Sequence, residues 1–417
     1  MWISLLSLLT LALPDDAAAQ DRFGPNRFWP SRFWPSRSWP SRFIGVVAPA
    51  KRYQGKTAAE WQDAMRAMLP SDPASGQAVP GLIELLRDRD APDLARKQAA
   101  LTLGRIGAPA AAAIPVLEEI VRRETAGDEA APRCWAAKGL ALFRSRSAAT
   151  TPTLVAILRD PKANPSHRQA MLDPLAAIGG AHPDVVPALV ELLQSGEDPP
   201  GVPLRELSLE VAMVMGSQAD PLVPLLVRIL RQPREAASMR RKSANALGTM
   251  GLRAEPALTA LAESVVADQD ESVRDAAADA IGRVGAAALP LLGRLATSTD
   301  AGVRWRAARA LGSMGQFARP AAPALQKLVA DREPIVRITA CEAWWLIFQE
   351  GKGLVPLLAS LLADDDRAIR MRSLKQLTLM PREREAIRDA VEPLTRDERE
   401  PIRTIAERLL QKLEAAP

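Results

Sequence analysis

Histidine, cysteine and clustered acid are the usual carriers of metal or acid–base chemistry, and this chain of 417 residues has two histidines and two cysteines. His167 and His182 stand beside Pro165 and Pro183 near expected helix starts, which reads as a solvated or capping role. Neither has Cys, Asp or Glu at the spacing a zinc site demands. Cys134 and Cys341 lie six repeat units apart in the scheme below, which at about 8–10 Å per packed helix layer puts them tens of ångströms apart. They read as two separate buried thiols. Gln54-Gly55-Lys56-Thr57 invites a phosphate-loop reading, but that loop needs glycine at position 50, where Ala50 stands. No Gly-x-Ser-x-Gly or Cys-x2-Cys occurs, so no catalytic residue, metal ligand or cofactor is expected.

Arginine is the polar residue with a regular spacing. Arg96, Arg133, Arg168, Arg205, Arg240, Arg274, Arg304, Arg337, Arg370 and Arg403 follow one another at intervals of 30 to 37 residues. Ser272 to Gly285 shows the unit most clearly: small residues sit three and four positions after the arginine (Ala277, Ala278) and a larger apolar one seven positions after it (Ile281). Those offsets share one helical face. Eleven positions after the anchor comes glycine at Gly107, Gly179, Gly216, Gly251, Gly285 and Gly315, where a helix would stop. Arg144, Phe348, Pro381 and Glu414 hold that slot elsewhere. A second helix follows, opened by a proline such as Pro115, Pro187, Pro224 or Pro290, where a missing N–H costs nothing. Periods of this length mean stacked units that bury one continuous core.

The motif Asp-x5-Arg-x2-Ala-Ala-x-Ala-Leu-Gly, then Pro-x-Leu-x2-Leu-Leu, resembles the HEAT repeats and, more loosely, those of phycobilisome lyases. The resemblance covers roughly residues 57–417 and implies an all-α fold, a right-handed α-solenoid of about ten HEAT-like helix pairs. It also implies that the aspartate and the anchor arginine bridge neighbouring turns. The pairs would be Asp90 with Arg96, Asp268 with Arg274, Asp331 with Arg337, Asp364 with Arg370, and Asp397 with Arg403. Gly127, Lys162, Pro199, Arg234 and Ser298 fill the acidic slot in the other units. HEAT-like hydroxylases use repeated His-Glu pairs to hold iron, and none occurs here. Lyase or hydrolase chemistry of HEAT-like proteins maps onto no residue of this chain and stands as an alternative function.

The formal charge of +5 is uneven. Residues 20–56 carry +7, whereas residues 57–417 sum to zero, which disfavours nucleic acid as a partner of the array. Trp2 to Leu13 is an apolar run too short to span a bilayer. With Ala17-Ala18-Ala19 behind it, residues 1–19 read as a secretory signal cleaved before Gln20, hence a periplasmic or extracellular protein. Without such cleavage the chain would be cytoplasmic. Residues 20–56 form a basic arm with a pentad repeat, in which proline every fifth residue precludes a helix. Trp29, Trp34 and Trp39 with Arg32, Arg37 and Arg42 could meet a membrane surface or an anionic polymer, or the arm is a solvated linker.

Residues 57–417 are expected to act as a non-enzymatic scaffold that binds a protein partner through a concave face lined by the second helices. The residue four positions after the opening proline should project there, giving Glu119, Ala156, Glu191, Arg228, Ala260, Arg294, Lys327 and Ser360. Acidic residues would then line the first half of the groove and basic residues the second. Trp344 and Trp345 fill core space at an irregular joint or form an aromatic contact patch, and Trp305 between two arginines is expected to be partly exposed.

Overall fold

The computed structural model describes residues 50–415, apart from 69–74, 124–131, 179–181, 197 and 352. The leader, and the arm contacts Trp29, Trp34, Trp39, Arg32, Arg37 and Arg42, lie outside the described residues. Described structure opens with a small antiparallel hairpin, β1 (Arg52–Tyr53) and β2 (Lys56–Thr57). Gln54 and Gly55 both take positive φ, as a two-residue hairpin turn requires. Thr57 then caps α1 (Ala58–Ala67), and its capping box with Glu60 is complete. Trp61 gives its indole N–H to the Tyr53 carbonyl (2.9 Å), which pins the hairpin to α1. The Tyr53 hydroxyl donates to Asp88 (2.6 Å), and burial together with that carboxylate pushes the phenol up to about 12.

Among the described residues, ten helix pairs and a last single helix follow one another in two layers. The first helices are α1, α3 (Asp93–Ile106), α5 (Pro132–Phe143), α7 (Pro165–Ile178), α9 (Leu204–Met215), α11 (Ala237–Met250), α13 (Glu271–Val284), α15 (Ala301–Ser313), α17 (Pro334–Phe348) and α19 (Arg367–Thr378). Their partners are α2 (Ser75–Arg87), α4 (Ile114–Arg123), α6 (Thr151–Arg159), α8 (Val185–Gln194), α10 (Val223–Leu230), α12 (Leu258–Ala267), α14 (Leu289–Leu295), α16 (Ala322–Val329), α18 (Val355–Leu361) and α20 (Arg384–Val391). In α21 (Glu400–Ala415), Ile402, Ala406, Leu409 and Leu413 are buried on one face while Glu407, Arg408 and Lys412 are exposed. Each unit packs on the next through one continuous core of leucine, valine and alanine.

Most first helices end where the repeat places glycine. Gly107, Gly216, Gly251, Gly285 and Gly315 all have positive φ, a region L-residues with a Cβ enter only under strain. Arg144 adopts φ +54 in the same slot without that relief, and in α17 the slot slips by one residue to Gln349. Short 3-10 turns such as Gly216–Leu222 and Gly251–Ala257 lead from the first helix into the second, a detail the repeat pattern does not announce.

Small residues let the first helices meet backbone to backbone. A Cβ placed on Gly104 would lie 2.7 Å from the Gly139 carbonyl oxygen, and one on Gly282 would lie 2.9 Å from that of Ala310. Those contacts leave no room for a methyl group. Gly104→Ala should therefore push α3 from α5 and cost about 1–3 kcal/mol. A denaturant midpoint unchanged from the parent would show that the helices can part freely.

The arginine–aspartate ladder exists with its rungs shifted by one unit. Arg240 grips Asp268 of the following unit through Nε (2.8 Å) and Nη2 (2.9 Å), and Arg304 grips Asp331 likewise (2.6 and 2.8 Å). Arg205 reaches Glu235 in the same way, with Nη2 at 2.6 Å. The expected pairs within a unit do not form through the carboxylates: Arg274, Arg337, Arg370 and Arg403 donate instead to the backbone carbonyls of Asp268, Asp331, Asp364 and Asp397 (2.7 to 2.9 Å). The cause is local. Each of these carboxylates turns back to accept the N–H two residues on, at 2.9 to 3.0 Å, and so points away from its own helix. In the first unit Arg96 donates to the Leu86 carbonyl (3.4 Å) and lies 3.6 Å from Asp93, not on Asp90.

The Arg304 hydrogen bond holds the Asp331 carboxyl below the ordinary carboxylate range. At Asp268, burial pushes up but Arg240 and the Asp270 N–H outweigh it, so that carboxyl is also depressed. A depressed carboxyl contributes stability above its unfolded pKa of about 4, and that contribution is lost as pH falls through the folded value. Only 9% and 8% of the Arg304 and Asp331 side chains are exposed, so truncating either should cost about 1.5–3 kcal/mol. The Arg304→Ala/Asp331→Ala double mutant should lose less than the sum in a denaturation cycle, whereas Asp331→Ala with Arg337→Ala should be nearly additive. The reverse ranking would return the rung to the within-unit pair.

Candidate functional site

Packing sets the two layers apart. The first helices approach one another through glycine and alanine, whereas a groove of about 560 Å³ opens between the second helices α12 and α14.

Five positions after eight of the ten anchor arginines, a polar or charged residue marks the first-helix face: Lys138, Asp173, Glu210, Asn245, Asp279, Arg309, Glu342 and Lys375, with Leu101 and Arg408 in that place after Arg96 and Arg403. Neighbouring units tie many of these together. Lys242 holds both Glu206 (2.9 Å) and Glu210 (2.7 Å), Arg309 holds Asp279 (3.0 Å), and Arg372 holds Glu342 (2.6 Å). Arg306 joins Asp275 at 2.7 Å, and Trp305 lies half-buried with the Arg306 and Arg309 guanidinium carbons 5.3 and 4.8 Å from its ring centroid. This is a ridge of mixed charge, much of it braced by ion pairs between units.

Between α5, α7 and α9 the ridge opens into a recess of about 260 Å³. Lys138, Asp173 and Glu210 come to it from three successive helices, and Leu172, Val211 and Val214 supply apolar wall. Asp173 is solvent-exposed, yet burial is the main cause that pushes its carboxyl above the ordinary range, with Lys138 pulling it down and Glu210 pushing it up. Contact with water combined with crowding by protein is what the floor of a concavity produces. Leu142, Val214, Leu346 and Leu379, nine positions after their anchors, are exposed beside the charged row.

Of the residues read from the second helices, Glu119, Ala156, Glu191, Arg228, Arg294, Lys327 and Ser360 are exposed. Ala260 is the exception at 1% exposure, because Pro256 falls inside the 3-10 turn and α12 begins two residues later. Glu263 takes the outward place there and accepts Arg231 (2.7 Å), so an acidic residue interrupts the basic half and the expected change of sign midway is lost. Glu119 and Glu191 are engaged with Arg123 (2.8 Å) and Arg159 (2.7 Å).

His167 corrects another expectation. It is fully buried, not solvated, with Nδ1 3.5 Å from Arg133 Nη1, and burial and that cation lower its pKa. His182 fits the capping reading, accepting the Asp184 N–H on Nδ1 (3.3 Å). Both cysteines are buried free thiols, and burial pushes Cys341 up to about 12. Trp344 and Trp345 are half-buried, and Trp344 meets Phe348 with ring centroids 4.4 Å apart. Among the described residues no group of three or more His, Cys, Asp and Glu could hold a metal ion.

A family model described as HEAT repeats matches residues 124–201 and 258–345. No curated protein matches the sequence significantly. Among solved structures, a Kap95:Nup1 complex is similar at TM-score 0.55 and 15% identity, over 85% of this chain and 54% of that one. The karyopherin Kap121p bound to the extreme C-terminus of the protein phosphatase Cdc14p is similar at TM-score 0.53 and 13% identity, over 85% and 43%. Kap121p bound to Nup53p gives 0.53 and 12%, over the same shares. Likeness at these identities is one of fold, and this chain spans about half the length of those proteins. The chain is an all-α solenoid that carries HEAT repeats.

Proposed function

We propose that the protein is a non-enzymatic scaffold or adaptor that holds an extended segment of a protein partner along the first-helix face. The observation that carries this reading is the recess at Lys138, Asp173 and Glu210, where exposed Val214 and a carboxylate that accepts no hydrogen bond among the described residues stand beside the braced acids of the ridge. Apolar surface beside unspent charge is what a peptide-binding groove offers. The solved fold neighbours include complexes with protein segments, which supports the general reading and says nothing of this chain's own partner.

The face can be tested in the producing cell. A photo-crosslinking residue placed at Val214 should trap a partner protein, whereas the same residue at Val266 on α12 should not. Crosslinks from Val266 alone would move the site to the second helices. Export belongs to the proposal too, resting on the apolar run Trp2 to Leu13 and the alanines before Gln20. N-terminal sequencing of the native protein should return Gln20, and a chain that still begins at Met1 would refute it.

A further inference from the structure

Resting on the first-helix reading, we infer that the recess between α5, α7 and α9 receives one lysine or arginine side chain of the partner segment, with Asp173 as the carboxylate that selects it. Asp173 differs from the other acids of its row. Glu210, Asp279 and Glu342 are each met by a cation from the next unit at 2.6 to 3.0 Å. Among the described residues Asp173 accepts no hydrogen bond, and Lys138 across the recess acts on it only through space. A carboxylate whose pKa is raised by crowding and that has no hydrogen-bond partner among the described residues costs the fold some stability when ionised and remains an acceptor for a ligand.

A carboxylate suits an ammonium or guanidinium, which brings several donors. Leu172, Val211 and Val214 suit the methylene stem that carries such a head group. An acidic side chain would find one ammonium, Lys138, facing two carboxylates. The charge balance of the recess therefore favours the cation.

The full chain would be panned against a phage-displayed library of random twelve-residue peptides, and a fluorescent peptide of the enriched consensus titrated. Enriched peptides should share a lysine or arginine next to apolar residues. Asp173→Asn should weaken the consensus peptide about tenfold or more. A peptide with norleucine in place of the basic residue should bind both proteins equally, and Val214→Glu should weaken both peptides. The Asp173→Asn chain is expected to fold: its melting temperature should exceed the parent's at pH 7, and the margin should vanish as pH falls and the parent's carboxyl takes up its proton. Peptides without basic bias, or equal affinity for parent and Asp173→Asn, would overturn the basic subsite. If Val214→Glu still weakened those peptides, the first-helix face would stand. No enrichment, or sensitivity to Val266→Glu in place of Val214→Glu, would overturn both.

Discussion

Direct backbone contact between successive first helices is the constraint on which the rest depends. Gly104 against Gly139, Gly282 against Ala310 and Gly248 against Ala280 hold that layer closer than side-chain packing would allow. Second helices, spaced by leucine and valine, cannot match the distance, so one layer is dense and the other grooved. Density explains why the outward residues of the first helices reach one another across units, with Lys242 spanning to two glutamates and Arg306 to Asp275 and Glu271.

Two sets of ionic links brace the array, and they fail in different places. On the turn side, Arg205, Arg240 and Arg304 each grip an acid of the next unit, but among the described residues Arg337 and Arg370 donate only to backbone carbonyls, and Arg274 has Ser298 in place of an acid in the next slot. The ridge covers that gap, since Arg306 and Arg309 of α15 reach back to Asp275 and Asp279 of α13. Around Asp173 neither set supplies a hydrogen bond to the carboxylate. A chain that pairs so much of its charge leaves this carboxylate unspent at the one recess that also exposes Val214.

Much of the architecture was legible in the anchor arginines, because a 30- to 37-residue period with small residues at fixed offsets has few physical meanings. Thr57 with Glu60 three positions on is a pattern legible in sequence, and it opens α1 as a capping box. Partner choice was less legible. Asp331 is near Arg337 in sequence, yet its carboxylate is turned by its own loop toward Arg304, and only the stacked geometry shows that. Ala260 was misplaced because Pro256 marks a 3-10 turn and not the first turn of α12. The recess could have been approached by reading the position five residues after each anchor, where Lys138, Asp173 and Glu210 stand. Its sequence signal is faint all the same, since the pairing of Glu210 with Lys242 spans 32 residues.

A stack of similar units is a polymer whose growth has to be stopped at its ends, since a bare unit face would accept another copy as readily as its own neighbour. At the amino-terminal end the hairpin supplies the stop. Its strands bring Lys51, Gln54 and Tyr53 onto Glu84 and Asp88 at the end of α2, so hydrogen-bonded charge covers ground where a further helix pair would otherwise lie. Four residues of strand thereby put hydrogen-bonded polar groups, in place of bare apolar surface, beside the end of α2.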